Sequence, residues 1–374
     1  QPMKHKLVTL IIAAMLAVPS LALAKADLVI AVDSPPKSMN PHSYNSDANL
    51  SYMANFFDGL LQRPAPEGRL APALATEWTR KDALTWEFKL RKGVKFHNGN
   101  PFTAEDVKFT FERMKDPEFS KFLNIANSIA SIETPDDFTV IFTTEKPVPW
   151  FAETMHQNFI VDKESSLERD SGDYNTKPIG TGAYKFVEWV KGSYIKMEAN
   201  PDYWEGAPTF KTVEIKPITE AATRFAAIAT RQAHILSGVP IPMIEQIKKN
   251  PAIEVVSRPA RRAIYMDIGN KPGTPFADVR VRKAIAMAIN EDEIVSTVMR
   301  GQATPAAQVP DTATIGYDPE LKRLPYDPEQ SKALLKEAGY ENGFEITIAG
   351  PNDRYVNDKQ ICEAVARYLA RIGL

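Results

Sequence analysis

Two kinds of strand pattern occur in this chain, and they constrain its fold more than any other feature. Residues 28–32, LVIAV, form an unbroken apolar run, which is typical of a strand buried on both faces. Between residues 84 and 90, apolar residues alternate with Thr85, Glu87 and Lys89, which predicts an antiparallel strand with one buried and one wet face. The chain must therefore build two different sheets.

The length supports that division, because 374 residues exceed one ordinary hydrophobic core. We interpret residues 61–177 as a separate, smaller α+β unit, after which the chain returns to the domain begun by the first strand. From about residue 264 the pattern becomes strand, helix, helix. The predicted helices are 51–61, 221–230, 291–300 and 358–372, with three more capped by Thr103, Asp278 and Asp327, and the later strands are 138–143, 183–189, 194–198, 213–216 and 344–348.

The N-terminus predicts export. Lys4 and Lys6 precede the apolar run 7–18, which is too short to span a bilayer as a helix. Small residues at 22–24 and again at 24–26 offer a signal peptidase two frames, so we interpret residues 1–24 as a signal peptide. No cysteine lies near that point, and we expect a soluble periplasmic protein without a lipid anchor.

Charge and cysteine content exclude several classes of protein. Loss of Lys4 and Lys6 with the signal reduces 45 basic residues to 43, against 47 acidic ones, and this negative balance argues against nucleic acid or an anionic membrane as partner. Cys362 is the one cysteine, so no disulfide within the chain supports the fold, and we interpret it as a buried helical residue. The fold must rest on hydrophobic cores.

Catalytic and cofactor motifs are missing from the sequence. It contains no G-x-S-x-G, H-E-x-x-H, C-x-x-C or G-x-x-x-x-G-K pattern. Gly180-x-Gly182 lacks a third glycine, and we interpret it as a turn or hinge. The five histidines are too scattered for a metal site, although His42 and His156 lie beside loops predicted to reach a cleft. We expect a protein that is not an enzyme and has no metal and no cofactor.

Arg354 is the sharpest candidate for a binding residue. It lies in a loop between the predicted strand 344–348 and the next helix, at the carboxyl edge where open α/β sheets bind ligands. A guanidinium there can hold a ligand carboxylate through two hydrogen bonds. The alternative is a solvated arginine that pairs with Asp353 or Asp358, and the sequence leaves both open.

An ordered series of segments, spread over essentially the whole mature chain, resembles the extracellular solute-binding protein family 5 of ABC importers. That family binds peptides, dipeptides, glutathione and nickel. The resemblance is carried by MNPH at 39–42, LAPALATEW at 70–78, LRKGVKFHNG at 90–99, PFTAEDV at 101–107, PIGTGAY at 178–184, NPDYW at 200–204, VRVRKA at 279–284 and YDP at 326–328.

The resemblance implies a two-lobe periplasmic-binding-protein clamshell, α/β and type II-like, of cluster C. Lobe I would combine a core from residues 25–60 and 178–264 with the inserted α+β unit 61–177. Lobe II would begin near residue 265. Family members continue past the position of Leu374, so the resemblance implies a C-terminally truncated chain with an incomplete lobe II.

The resemblance also implies a set of ligand-binding residues. Tyr44 and Asn49 would look into the cleft, and Arg354 resembles, one position out of register, the arginine with which dipeptide binders hold the ligand carboxylate. The candidates from the inserted unit are Phe122, Met155, His156 and Gln157. Nickel binders place arginines in the stretches matching 119–122 and 155–157, and none stands here, which argues against nickel.

These observations predict the solute-binding component of an ABC importer. We expect a monomer that captures a short peptide between two lobes and delivers it to the permease in the inner membrane. The alternatives are the same fold with another cargo, namely a nickel chelate, haem, an opine or an oligosaccharide; a secreted hydrolase; and a peripheral chaperone that binds unfolded chains.

Overall fold

The structure is a computed structural model that describes residues 26–64, 68–168, 175–258, 260, 262–310, 312, 314, 316–352 and 355–374. The predicted signal peptide and Arg354 lie outside these residues. The strands are β1 Leu28–Val32, β2 Leu61–Gln62, β3 Ala71–Pro72, β4 Ala75–Arg80, β5 Thr85–Leu90, β6 Ile129–Asp136, β7 Thr139–Thr144, β8 Tyr184–Val190, β9 Tyr194–Ala199, β10 Thr212–Pro217 and β11 Ile235–Leu236. The α-helices are α1 Asp47–Met53, α2 Ala104–Arg113, α3 Leu123–Asn127, α4 Lys163–Glu168, α5 Ala221–Ala229, α6 Ile244–Ile247, α7 Val279–Ala288, α8 Glu291–Thr297, α9 Pro328–Glu337 and α10 Asp358–Ala370.

The first sheet has the order β11-β1-β10-β9-β8. Strand β1 is parallel to both β10 and β11, whereas β9 is antiparallel to β10 and β8 is antiparallel to β9. Val29 and Ala31 of β1 pack in a cluster with Ala227 of α5. Leu28 and Ile30 face a second cluster on the other side of the sheet. The prediction that β1 is buried on both faces is confirmed.

The second sheet is antiparallel, with the order β4-β5-β7-β6. Trp86, Phe88 and Leu90 of β5 are buried, and the residues between them are more exposed, which confirms the predicted alternation. The ring of Phe142 lies 5.7 Å from that of Phe88 and 5.0 Å from that of Phe111 in α2. Burial of such large rings supplies most of the hydrophobic stabilisation of this sheet.

Helix α1 differs from the predicted helix 51–61. It begins after its N-cap Ser46 and ends at Met53, although the apolar residues of 56–61 are buried as expected. The backbone beyond Met53 is bonded to other segments: the carbonyl of Asn55 accepts the N–H of Tyr184 at 3.0 Å, and that of Phe56 accepts the N–H of Gly182 at 2.9 Å. These tertiary hydrogen bonds replace the ones that would extend the helix.

Helices α7, α9 and α10 share the C-terminal core, whose buried members are Val281, Ala284, Ile285, Ala288, Leu335, Leu369 and Ile372. The predicted strand 344–348 is wrong in the described part of the chain, as is a strand near residue 264. Residues 344, 346 and 348 are half-buried and 345 and 347 are exposed, so the alternation is real. A strand also needs a hydrogen-bonded neighbour, and no described segment pairs with this one.

Among the residues that the structure describes, no helix combines the length and apolarity that a membrane span requires.

Candidate functional site

The loop that follows β1, residues 33–46, is held in place by helix α1. Tyr52 donates its hydroxyl hydrogen bond to the carbonyl of Ser34 at 2.5 Å. The side-chain oxygen of Asn49 accepts the backbone N–H of Lys37 at 3.2 Å. This loop begins at the carboxyl end of β1, which is parallel to both of its neighbours. That edge is where open α/β sheets bind ligands.

Two of the predicted ligand residues belong to this loop and helix. Tyr44 is 40% exposed, and the ammonium group of Lys37 lies 5.5 Å from the centre of its ring. Asn49 is only 2% exposed, and its side-chain nitrogen is buried with no hydrogen-bond partner in the described chain. Tyr44 is therefore the residue of the two that a solute can reach directly.

The candidates from the inserted unit are more deeply placed. Phe122 and Met155 are buried in the core of the second sheet. His156 and Gln157 are half-buried, and Nδ1 of His156 lies 2.6 Å from the carbonyl oxygen of Glu153. Contact of these four residues with a ligand stays a prediction.

His42, which the sequence placed beside the cleft, is fully buried. Its Nε2 lies 2.9 Å from the carbonyl oxygen of Phe159. The centre of its ring lies 6.3 Å from the centre of the Phe122 ring, in an edge-to-face arrangement. Burial, helped by the charge of Arg113, lowers the pKa of His42 to about 3. The imidazole is therefore neutral at physiological pH, donates from Nε2, and joins the loop to the core.

Two segments far apart in the chain meet at Arg262. Its guanidinium forms an ion pair with Asp47, in the first turn of α1, at 3.0 Å. The same group lies 5.7 Å from the ring centre of Tyr355, which directly follows Arg354 in the loop before α10. Arg262 therefore brings the start of helix α1, which holds the loop after β1, close to Tyr355 in the segment before α10. The sequence offered one signal for it, since arginines stand at 258, 261 and 262.

The glycine- and aromatic-containing motifs at 178–184 and 200–204 converge on the buried carboxylate of Asp58. It accepts hydrogen bonds from the Thr181 hydroxyl at 2.7 Å, the Trp204 indole N–H at 3.1 Å and the Tyr203 hydroxyl at 3.2 Å. Burial raises the pKa of Asp58, and the three hydrogen bonds oppose that rise. We therefore assign these two motifs to the structural framework of the protein and not to its binding site. Asp58, the one acidic residue in the run FFDGLL, joins the two motifs.

His97 links another motif to the same frame. Its Nε2 lies 2.9 Å from the carbonyl oxygen of Gly182, and its backbone N–H donates to the carbonyl of Gly180 at 2.8 Å. Burial lowers the pKa of His97 to about 4. The ring is neutral at physiological pH and acts as a structural cross-link.

Three carboxylates, those of Asp106, Asp162 and Glu164, have oxygens within 4.8 Å of one another. Asp106 accepts the backbone N–H groups of Lys163 at 3.0 Å and of Thr103, the N-cap of helix α2, at 2.8 Å, while Asp162 accepts the side-chain amide N–H of Asn98 at 2.6 Å. Burial, with the charges of Glu164 and Asp162, raises the pKa of Asp106 to about 6. Because amide donors already occupy the two buried carboxylates, we assign the group to the frame and not to a metal.

The family described as bacterial extracellular solute-binding proteins, family 5 Middle, matches residues 69–374. The chain belongs to this family. Glutathione-binding protein GsiB of Shigella flexneri serotype 5b (strain 8401) is 32% identical over 362 residues, which cover 95% of this chain and 70% of that protein. Its family 5 membership makes the protein a substrate-binding protein of the ABC-transporter type.

Two solved structures show the fold. The periplasmic binding protein DppA from Helicobacter pylori, in complex with the peptide STSA, is 29% identical, with a TM-score of 0.76 over 92% of this chain and 72% of that one. NikZ from Campylobacter jejuni, in complex with Ni(L-His), is 25% identical, with a TM-score of 0.81 over 94% of this chain and 72% of that one. The family 5 protein has the two-lobe fold of periplasmic binding proteins, with mixed α/β structure and open sheets.

Proposed function

We propose that this family 5 protein captures short peptides, or solutes built like them, between two lobes and delivers them to the membrane permease of an ABC importer. The observation that carries the proposal is that Arg262 contacts both Asp47, at the start of the helix that holds the loop after β1, and Tyr355, in the loop before α10. A solute held between these loops contacts residues of both lobes. Relatives support the cargo class, since one is named for glutathione, a tripeptide, and one was solved with a tetrapeptide.

Contacts with both lobes are what a clamshell needs in order to close. A solute that moves the population from mostly open to mostly closed must favour the closed form by about 5.5 kcal/mol. Tyr44 offers an exposed ring on one side, and Arg354 would offer a guanidinium on the other. We assign lobe I to residues 25–60 and 178–264 with the insert 61–177, lobe II to 265–374, and the site of action to the periplasm after removal of residues 1–24.

A nickel chelate is the second candidate. NikZ holds nickel as a complex with histidine, which is an amino-acid ligand with a carboxylate, so a cleft shaped for peptide ends also suits it. A titration panel of dipeptides, glutathione and Ni(L-His) separates the two, because the proposal expects saturable binding of peptides in the absence of metal. Hydrolysis of those peptides during the titration would instead support a secreted hydrolase.

Arg354→Ala tests the part of the cleft that the sequence singled out. We expect it to weaken a peptide with a free C-terminal carboxylate at least tenfold, about 1.4 kcal/mol, because two charge-assisted hydrogen bonds are lost. Isothermal titration calorimetry measures the change. The same peptide with an amidated C-terminus is the control, and its affinity should be the same for both proteins. Equal affinity of the two proteins for the free acid would remove Arg354 from the site.

A further inference from the structure

We propose that Arg262 recognises a second carboxylate, so that the solute of this cleft carries an acid group besides its C-terminal one. This rests on the proposed function, because it specifies the class of solute that the same cleft takes. The acid group belongs to a side chain or substituent of the solute. An acidic dipeptide is the simplest example.

The guanidinium of Arg262 has unused hydrogen-bonding capacity. An arginine side chain carries five N–H donors, and Arg262 uses one of them, from a single terminal nitrogen to Asp47 at 3.0 Å. Its other donors meet no acceptor in the described part of the chain. The side chain is 50% exposed, so a solute can approach those donors.

The position of Arg262 is fixed although it is exposed. Asp47 holds it from α1, and the ring of Tyr355 lies beneath its charge at 5.7 Å, a distance at which a cation and an aromatic face attract each other. The guanidinium therefore lies between the start of helix α1 and Tyr355. The contact with Tyr355 does not depend on Asp47, so it limits the conformational freedom that Arg262 loses when a solute carboxylate takes the place of Asp47.

Asp47 is a weak partner that a solute carboxylate can replace. Its side chain is 82% exposed, and an ion pair in that environment contributes little because water screens it. A carboxylate enclosed by the closing lobes accepts two parallel N–H bonds in a drier environment, where the same charges attract more strongly.

The test compares two dipeptides that differ in one side-chain charge, Ala-Glu and Ala-Gln, by isothermal titration calorimetry. The wild-type protein should bind Ala-Glu at least tenfold more tightly, because only the acid pairs with Arg262. Arg262→Gln should reduce that preference to about threefold or less, and the loss of affinity should fall mainly on Ala-Glu, whose side-chain carboxylate no longer has its partner. Asp47→Asn should increase the affinity for Ala-Glu by about threefold or more, because the competing carboxylate is gone.

The two variants should change the affinity for Ala-Glu in opposite directions, and this distinguishes recognition of the solute by Arg262 from a purely structural ion pair. If the Asp47–Arg262 pair only supported the structure around the cleft, both variants would weaken both dipeptides by similar factors, and the inference would be overturned. Arg323→Gln is the matched control, because Arg323 is 34% exposed and also pairs with carboxylates, in another part of the chain. The Arg323→Gln protein should prefer Ala-Glu over Ala-Gln by the same factor as the wild type.

A wild-type protein that binds both dipeptides equally would overturn the acidic-solute inference and leave the proposed function standing. A wild-type protein that binds neither dipeptide, nor any peptide of the wider panel, would overturn the proposed function and the inference with it.

Discussion

Gly180→Ala is expected to destabilise the protein strongly and to lower its midpoint of urea unfolding. A Cβ atom at this position would lie 2.1 Å from the carbonyl oxygen of Phe56 and 2.5 Å from Cδ1 of Phe57. The first of these atoms belongs to the backbone, so relief requires residues 55–57 to move away from the 180–182 bend. Overpacking of this kind costs about 3 kcal/mol or more, a large part of the roughly 5–15 kcal/mol by which domains are stable.

Urea unfolding followed by tryptophan fluorescence measures that effect. Gly269→Ala is the matched control, because a Cβ there meets nothing within 4 Å and its backbone does not have a positive φ. The control should change the free energy of unfolding by no more than about 0.5 kcal/mol. A midpoint for Gly180→Ala equal to that of the control would show that the junction between residues 55–57 and 180–182 is not tightly packed.

Asp58→Ala is expected to destabilise the protein by about 3–5 kcal/mol. The change removes one carboxylate that accepts three side-chain hydrogen bonds. The hydroxyls of Thr181 and Tyr203 and the indole N–H of Trp204 would remain partly buried without their acceptor, and buried unpaired donors carry a full desolvation cost.

Two further variants make this expectation specific. Asp58→Asn keeps an acceptor oxygen and should cost clearly less than Asp58→Ala in the same urea measurement. Asp137→Ala removes an exposed carboxylate and should be within about 0.5 kcal/mol of the wild type. If Asp58→Ala and Asp137→Ala had the same free energy of unfolding, the hydrogen bonds that the two motifs donate to Asp58 would not contribute measurably to stability.

The elements that could be predicted from the sequence are those whose apolar pattern or N-cap is local, within a few neighbouring residues. Strand β1 and the alternating strand β5 were found where the apolar residues placed them, and helix α2 starts at the predicted cap Thr103. The pattern failed where contacts between distant segments decide the structure. The backbone carbonyls of Asn55, Phe56 and Asp58 accept hydrogen bonds from distant segments, and residues 344–348 alternate without a neighbouring strand in the described chain.

In the candidate site, too, local patterns could be predicted and contacts between distant segments could not. A loop over 33–44 at the edge of the sheet can be predicted because a buried strand ends before it, and this requires only local pattern. Asp58 and Arg262 were missed because their roles depend on partners up to 215 positions away in the chain, and no spacing rule connects such residues. A lone acid in an apolar run and a cluster of arginines were the local signals that stood beside them.

The central claim, capture of a peptide-like solute between two lobes, is tested most directly by native mass spectrometry of the protein purified from the periplasm without refolding. The account predicts a second population, heavier by the mass of a short peptide, that collapses to the bare chain when the protein is unfolded. Released mass matching a peptide with an additional acid group would support the role of Arg262 as well. A bound metal chelate, haem or oligosaccharide in place of a peptide would contradict the claim.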